Sequence, residues 1–135
     1  IAHGINDAQM DIDRTARNTN LLVWHGRTWL IDHGSALYFH HTWDRWMERS
    51  CDPFPAIRDH VLLPAAARLE EADAALAKRI THDELRRIVS LIPDEWLGDA
   101  PFHGRAEHRE AYLKYLARRL DPPRTFLQEV IRARA

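Results

Sequence analysis

Two short apolar runs, "NLLVW" at 20–24 and "RTWLI" at 27–31, lie near the start of the chain with only His25 and Gly26 between them. A two-residue connection containing Gly marks a tight antiparallel hairpin, and His accepts positive φ more readily than most side chains. Pairing the runs across that turn sets Trp24 opposite Arg27, Leu22 opposite Trp29 and Thr19 opposite Asp32. After Gly34 the pattern turns irregular, aromatic and proline-rich, and only short helices are expected, near 42–49 and 55–62. From about residue 65 the period becomes helical. "AAARLEEADAALAKR" has strong helix propensity. Thr81 and Glu84 form a T-x-x-E capping box. Leu85, Ile88, Val89 and Ile92 follow at helical spacing until Pro93 stops the run. Leu113, Leu116, Ala117 and Leu120 repeat that spacing in a helix predicted over 105–120. Pro122-Pro123 breaks it, and a last helix is predicted over 123–133 with Leu127, Val130 and Ile131 turned inward. Residues 1–12 fit no single element.

The pattern predicts an α+β fold, mostly helical, as one domain over 1–135: loop and hairpin in 1–36, a helical subdomain in 37–135. The length of 135 residues and a hydrophobic fraction of 45% suit one core. A formal net charge of −1 lacks the basic excess of a nucleic-acid binder, so no direct nucleic-acid binding is expected. No apolar run approaches the roughly 20 residues of a membrane span, and no signal peptide is visible. Cys51 stands alone, which excludes an internal disulfide framework and fits a reducing cytoplasm. The chain opens on Ile1 and reaches its most motif-like stretch within 13 residues, as expected of a piece of a longer or processed polypeptide.

The chemistry concentrates in "DIDRTARNTNLLVWHGRTWLIDHG", residues 11–34. The hairpin pairing brings Asn18 and Asp32 to the same end of the two strands, where cross-strand neighbours lie roughly 5–8 Å apart. That separation suits two oxygen ligands of one Mg²⁺, which takes a few protein oxygens together with water and phosphate. Asp13 precedes Asn18 by five positions, giving the D-x-x-x-x-N spacing of a kinase catalytic loop. There the Asp orients the acceptor hydroxyl, the Asn binds a metal ion, and a second Asp after a short hairpin binds the metal that bridges the phosphates. D-x4-N alone recurs by chance. Followed by strand, tight turn, strand and "DHG", it is a much more specific order. The competing reading is turn chemistry, since Asp and Asn routinely cap loops and hairpin ends.

"DIDRTARNTNLLVW" with "TWLIDHGSALYFHH" resembles the catalytic lobe of HipA-like kinases, above all their actinobacterial branch. It resembles more distantly the phosphoinositide 3-kinase-like lobe with its D-R-x-x-x-N loop. "PFPAIRDHVLLP" and "IPDEWL" also look like that branch. The resemblance covers most of the chain and is more specific in 11–63 than beyond. It implies the C-terminal lobe of a kinase, with Asp13 as catalytic base, Asn18 and Asp32 as metal ligands that also hold the nucleotide, and ATP and Mg²⁺ as cofactors. The implied acceptor is a hydroxyl, Ser or Thr on a protein or a small molecule. Thr15 stands where the HipA pattern has His, and H-R-D is absent. No Gly-rich loop or strand lysine precedes residue 11, so a separate N-terminal lobe is an expected partner. The alternative is a non-catalytic helical interaction module on a kinase-like lobe.

Other residues have blander readings. Arg14 and Arg17 could meet phosphate, but pairing with Asp11 or a C-terminal carboxylate is the stronger expectation. His33, His40 and His41 match no strong zinc signature, and His33 is expected either to tune the site beside Asp32 or to occupy the Phe slot of a DFG-like turn. Trp24, Trp29, Trp43, Trp46 and Trp96 read as core packing, and Cys51 as a small buried side chain.

Overall fold

Backbone hydrogen bonding starts at the hairpin. The computed structural model describes residues 14–34, 36–99 and 101–135, so the sequence readings of residues 1–12 and Asp13 lie outside them. Strands β1 (Leu21–Trp24) and β2 (Arg27–Leu30) pair antiparallel. Their register sets Trp24 opposite Arg27 and Leu22 opposite Trp29, as the turn length predicts. His25 and Gly26 both take positive φ, 49° and 70°. That is the primed turn whose twist matches the strands, and Gly26 makes it cheap.

About half of the described residues are helical, a smaller share than the pattern predicts, and the fold is α+β with one two-stranded hairpin. Helix α1 (Trp46–Arg49) is a single turn inside the expected 42–49 window. Single 3-10 turns run over Tyr38–His41, Pro55–Asp59 and Leu63–Ala65. Proline sits in the first turn of the latter two, where its missing N–H costs no helical bond. Then come α2 (Leu69–Ala77), α3 (His82–Ser90), α4 (Arg105–Leu120) and α5 (Thr125–Arg134). None of the helices among the described residues is long and apolar enough to cross a membrane.

Only half of the capping box at α3 forms. The Thr81 hydroxyl accepts from the Glu84 N–H at 3.2 Å, while the Glu84 carboxylate turns to Arg87 at 2.6 and 2.9 Å. Thr81→Ala is therefore expected to cost about 1 kcal/mol of stability, measurable by urea unfolding. A cost indistinguishable from zero would show that the cap does not hold this helix.

Two apolar clusters organise the helical part. Ile57, Leu63, Ala66, Leu69 and Val130 form one, joining the 3-10 turns to α2 and α5. Phe39, Trp43, Ala111 and Tyr115 form the other, between the segment after the hairpin and α4. Arginines tie the elements together. Arg109 on α4 donates to the Val89 and Ile92 carbonyls at the C-terminal end of α3 and to Asp94. Arg124 forks onto both oxygens of Asp73, at 2.8 and 2.5 Å, and links α5 to α2. Arg119 is buried, donates to the carbonyls of Ser50 and Asp52 at 3.2 Å each, and lies 5.3 Å over the Phe126 ring. The Thr125 hydroxyl takes the carbonyl between them, that of Cys51.

Several burial expectations need correction. Trp43 is buried and Trp46 half-buried, but Trp24, Trp29 and Trp96 are exposed. Cys51 is exposed, while the backbone carbonyls of its loop accept from the Arg119 and Thr125 side chains. Ile88 and Ile131 face outward. On α4 the fully buried stripe is His108, Ala111, Tyr115 and Arg119.

Candidate functional site

The base of the hairpin is built on two left-handed residues. Asn20 has φ 45° and Asp32 φ 54°, and Asn and Asp are the non-glycine side chains that tolerate this region best. Each ends its strand's regular run. The ladder continues one step past Leu21–Leu30, with the Ile31 N–H donating to the Asn20 carbonyl at 2.9 Å. Asn18 lies two residues before Asn20, and both it and Asp32 are exposed beside the strand ends.

Arg14 closes this end from below. It is 1% exposed. Its guanidinium donates to the Asn20 carbonyl at 2.5 Å and to the Ile31 carbonyl at 3.3 Å, and it reaches His33 Nδ1 at 3.1 Å. One planar fork therefore spans both strand ends. The main chain of the same residue is anchored in the helical body: its carbonyl accepts from the Val61 N–H at 3.0 Å, and Thr15 bridges His60. His60 is buried, and its Nδ1 accepts from the Leu62 N–H. Those residues lead directly into the cluster around Ile57 and Leu63. Arg14 has backbone carbonyls and a histidine nitrogen among its partners; the expected partner Asp11 lies outside the described residues.

Asn18 is held by a tight turn, its N–H directed at the carbonyl of Thr15 at 3.2 Å and at the Thr15 hydroxyl at 3.4 Å. Among the described residues, neither its side-chain amide nor the Asp32 carboxylate makes a hydrogen bond or ion pair. Both oxygens are hard donors left open to solvent, a set that suits Mg²⁺ with water or phosphate completing its shell. The glycine of "DHG" is not there to avoid a clash: a Cβ on Gly34 would meet Asp32 Oδ1 at 3.6 Å, ordinary contact. Among the described residues no three His, Cys, Asp or Glu side chains gather as a metal site. Asp13, the third candidate, immediately precedes Arg14 and lies outside the described residues.

The hairpin itself carries apolar side chains into solvent. Leu22, Val23, Trp24, Trp29 and Ile31 are all exposed, Val23 at 72% and Trp24 at 58%. Trp24 and Trp29 lie against each other with ring centroids 6.3 Å apart. What the sequence does not reveal is the burial of Arg14, which depends on carbonyls that only the folded hairpin presents.

No protein-family model matches the chain, no curated protein is significantly similar to it, and no solved structure matches its fold.

Proposed function

We propose that this chain is the catalytic lobe of an ATP-dependent phosphotransferase of the HipA-like kinase type. It transfers the γ-phosphoryl group to a hydroxyl, which we read as Ser or Thr on a protein. The observation that carries the reading is the ordered series Asp13, Asn18, strand, two-residue turn, strand, Asp32, with the oxygens of Asn18 and Asp32 free at one end of the hairpin. Phosphoryl transfer requires mainly positioning and charge neutralisation. Asp13 would orient the acceptor hydroxyl and accept its proton. Asn18 and Asp32 would hold Mg²⁺, which when bound neutralises charge on the phosphates.

Asp32→Asn tests the assignment. In a thermal-shift titration of the protein with ATP, Mg²⁺ is expected to raise the midpoint for the wild type, since a ligand that binds the folded form stabilises it by mass action. The variant should lose the Mg²⁺-dependent part. An equal shift in both proteins would remove Asp32 from the metal site.

The exposed apolar hairpin favours a second reading, an interaction module on the same scaffold. Millimolar nucleotide would then give no shift in the wild type with or without Mg²⁺.

A further inference from the structure

Arg14 bonds the backbone near both proposed metal ligands. It follows Asp13 directly. Its guanidinium bonds the carbonyl of Asn20, two residues after Asn18, and the carbonyl of Ile31, the residue before Asp32. It also bonds the ring of His33, the residue after Asp32. A turn could fix one of these segments, but one buried planar cation fixes all of them relative to each other. The Asn20 carbonyl also takes the last ladder bond, from the Ile31 N–H, so the guanidinium bridges the two strands at the point where regular pairing ends. A guanidinium is the side chain able to serve two carbonyls from a single plane; a lysine ammonium is a point charge on a flexible stem. The bond from the Arg14 carbonyl to Val61 ties the arrangement to the helical core, so the position is set from outside the hairpin as well.

We infer that Arg14 is a positioning residue: it fixes the two strand ends next to Asn18 and Asp32, and through them the placement of both Mg²⁺ ligands, while touching neither metal nor nucleotide. This rests on the kinase reading above. Residues that orient metal ligands commonly change metal affinity by 10–100-fold when replaced. Arg14→Lys is therefore expected to raise the Mg²⁺ concentration giving half of the ATP-dependent thermal shift by about tenfold or more. Its affinity for ATP without Mg²⁺, measured by calorimetry, should not change.

A purely structural role would lower the ligand-free melting midpoint and leave half-saturating Mg²⁺ alone once the folded fraction is matched. That result would overturn the inference and leave the kinase reading standing. If the wild type shows no Mg²⁺-dependent nucleotide binding, the reading falls, and the inference with it, before Arg14 is altered. Arg14→Gln, which keeps a planar donor without charge, is the second variant. Should neither variant fold, the side-chain Nε–H signal of Arg14 in the wild type decides. Movement of that signal when Mg²⁺ is added at saturating ATP supports the inference, and a signal that stays fixed overturns it.

Discussion

Phe39→Ala is expected to destabilise the protein by about 3–5 kcal/mol, the range for removing a buried phenyl ring and leaving its cavity. The ring is 3% exposed. It stacks on Tyr115 with centroids 3.6 Å apart and meets Trp43 edge-on at 5.1 Å. Those partners come from different places: Trp43 from the loop before α1, Tyr115 from the middle of α4. Phe39 also lies in the 3-10 turn that follows the hairpin, and its carbonyl accepts from the Trp43 N–H at 3.0 Å. The surrounding rings are large and flat and cannot collapse into the space, so the full cavity cost should be felt. Domains of this size have only about 5–15 kcal/mol in all, and the melting midpoint should fall by roughly 10–20 °C. Phe39→Leu should keep more than half of the lost stability. A loss under about 1 kcal/mol in urea unfolding would show that the aromatic cluster relaxes freely and does not organise this half of the chain.

The elements that sequence could predict are those fixed by local geometry. A two-residue turn with Gly26 permits one register, and that register forms. Helix α4 starts after Gly104 and ends before Pro122-Pro123, where the helical spacing also stops. The 3-10 turns were harder to see, because proline and distant packing decide them rather than periodicity. Face assignment failed where polar partners replace apolar ones. Arg119 lies in the buried stripe of α4 because the Ser50 and Asp52 carbonyls need a donor there. Hydropathy alone turns leucines inward instead. The same limit applies at the candidate site. The spacing of Asp13, Asn18 and Asp32 is visible in the sequence, whereas the role of Arg14 depends on two left-handed residues, one on each strand's outer end. The apolar letters of the hairpin read as core, yet a lone two-stranded ribbon has two faces, and here both strands are largely exposed.

Stability should fall as the pH drops below about 6.5, the ordinary histidine value, and His108 should carry much of the loss. Its ring lies between Phe102 and Tyr112, stacked at 4.4 and 5.2 Å, with Trp43 edge-on at 4.9 Å. Nδ1 accepts from the Gly98 N–H at 3.2 Å, which assigns the proton of the neutral ring to Nε2. Nε2 is buried and has no hydrogen-bond partner among the described residues. A second proton would have to enter at Nδ1 and displace the Gly98 bond. Burial accordingly holds the His108 pKa below its usual value, with the Asp99 carboxylate pulling the other way. His40 is lowered too, by burial and then by His41 and His108. A neutral, depressed histidine binds fewer protons folded than unfolded. Its stabilisation is complete above the unfolded pKa and is lost as the pH falls through the depressed folded value, at up to about 1.4 kcal/mol per pH unit for one group. Urea unfolding between pH 7.5 and 5 should show that slope in the wild type. His108→Asn keeps an acceptor near the Nδ1 position but cannot titrate, so its slope should be shallower whatever its absolute stability. Equal slopes in the two proteins would assign the acid sensitivity to groups other than this ring.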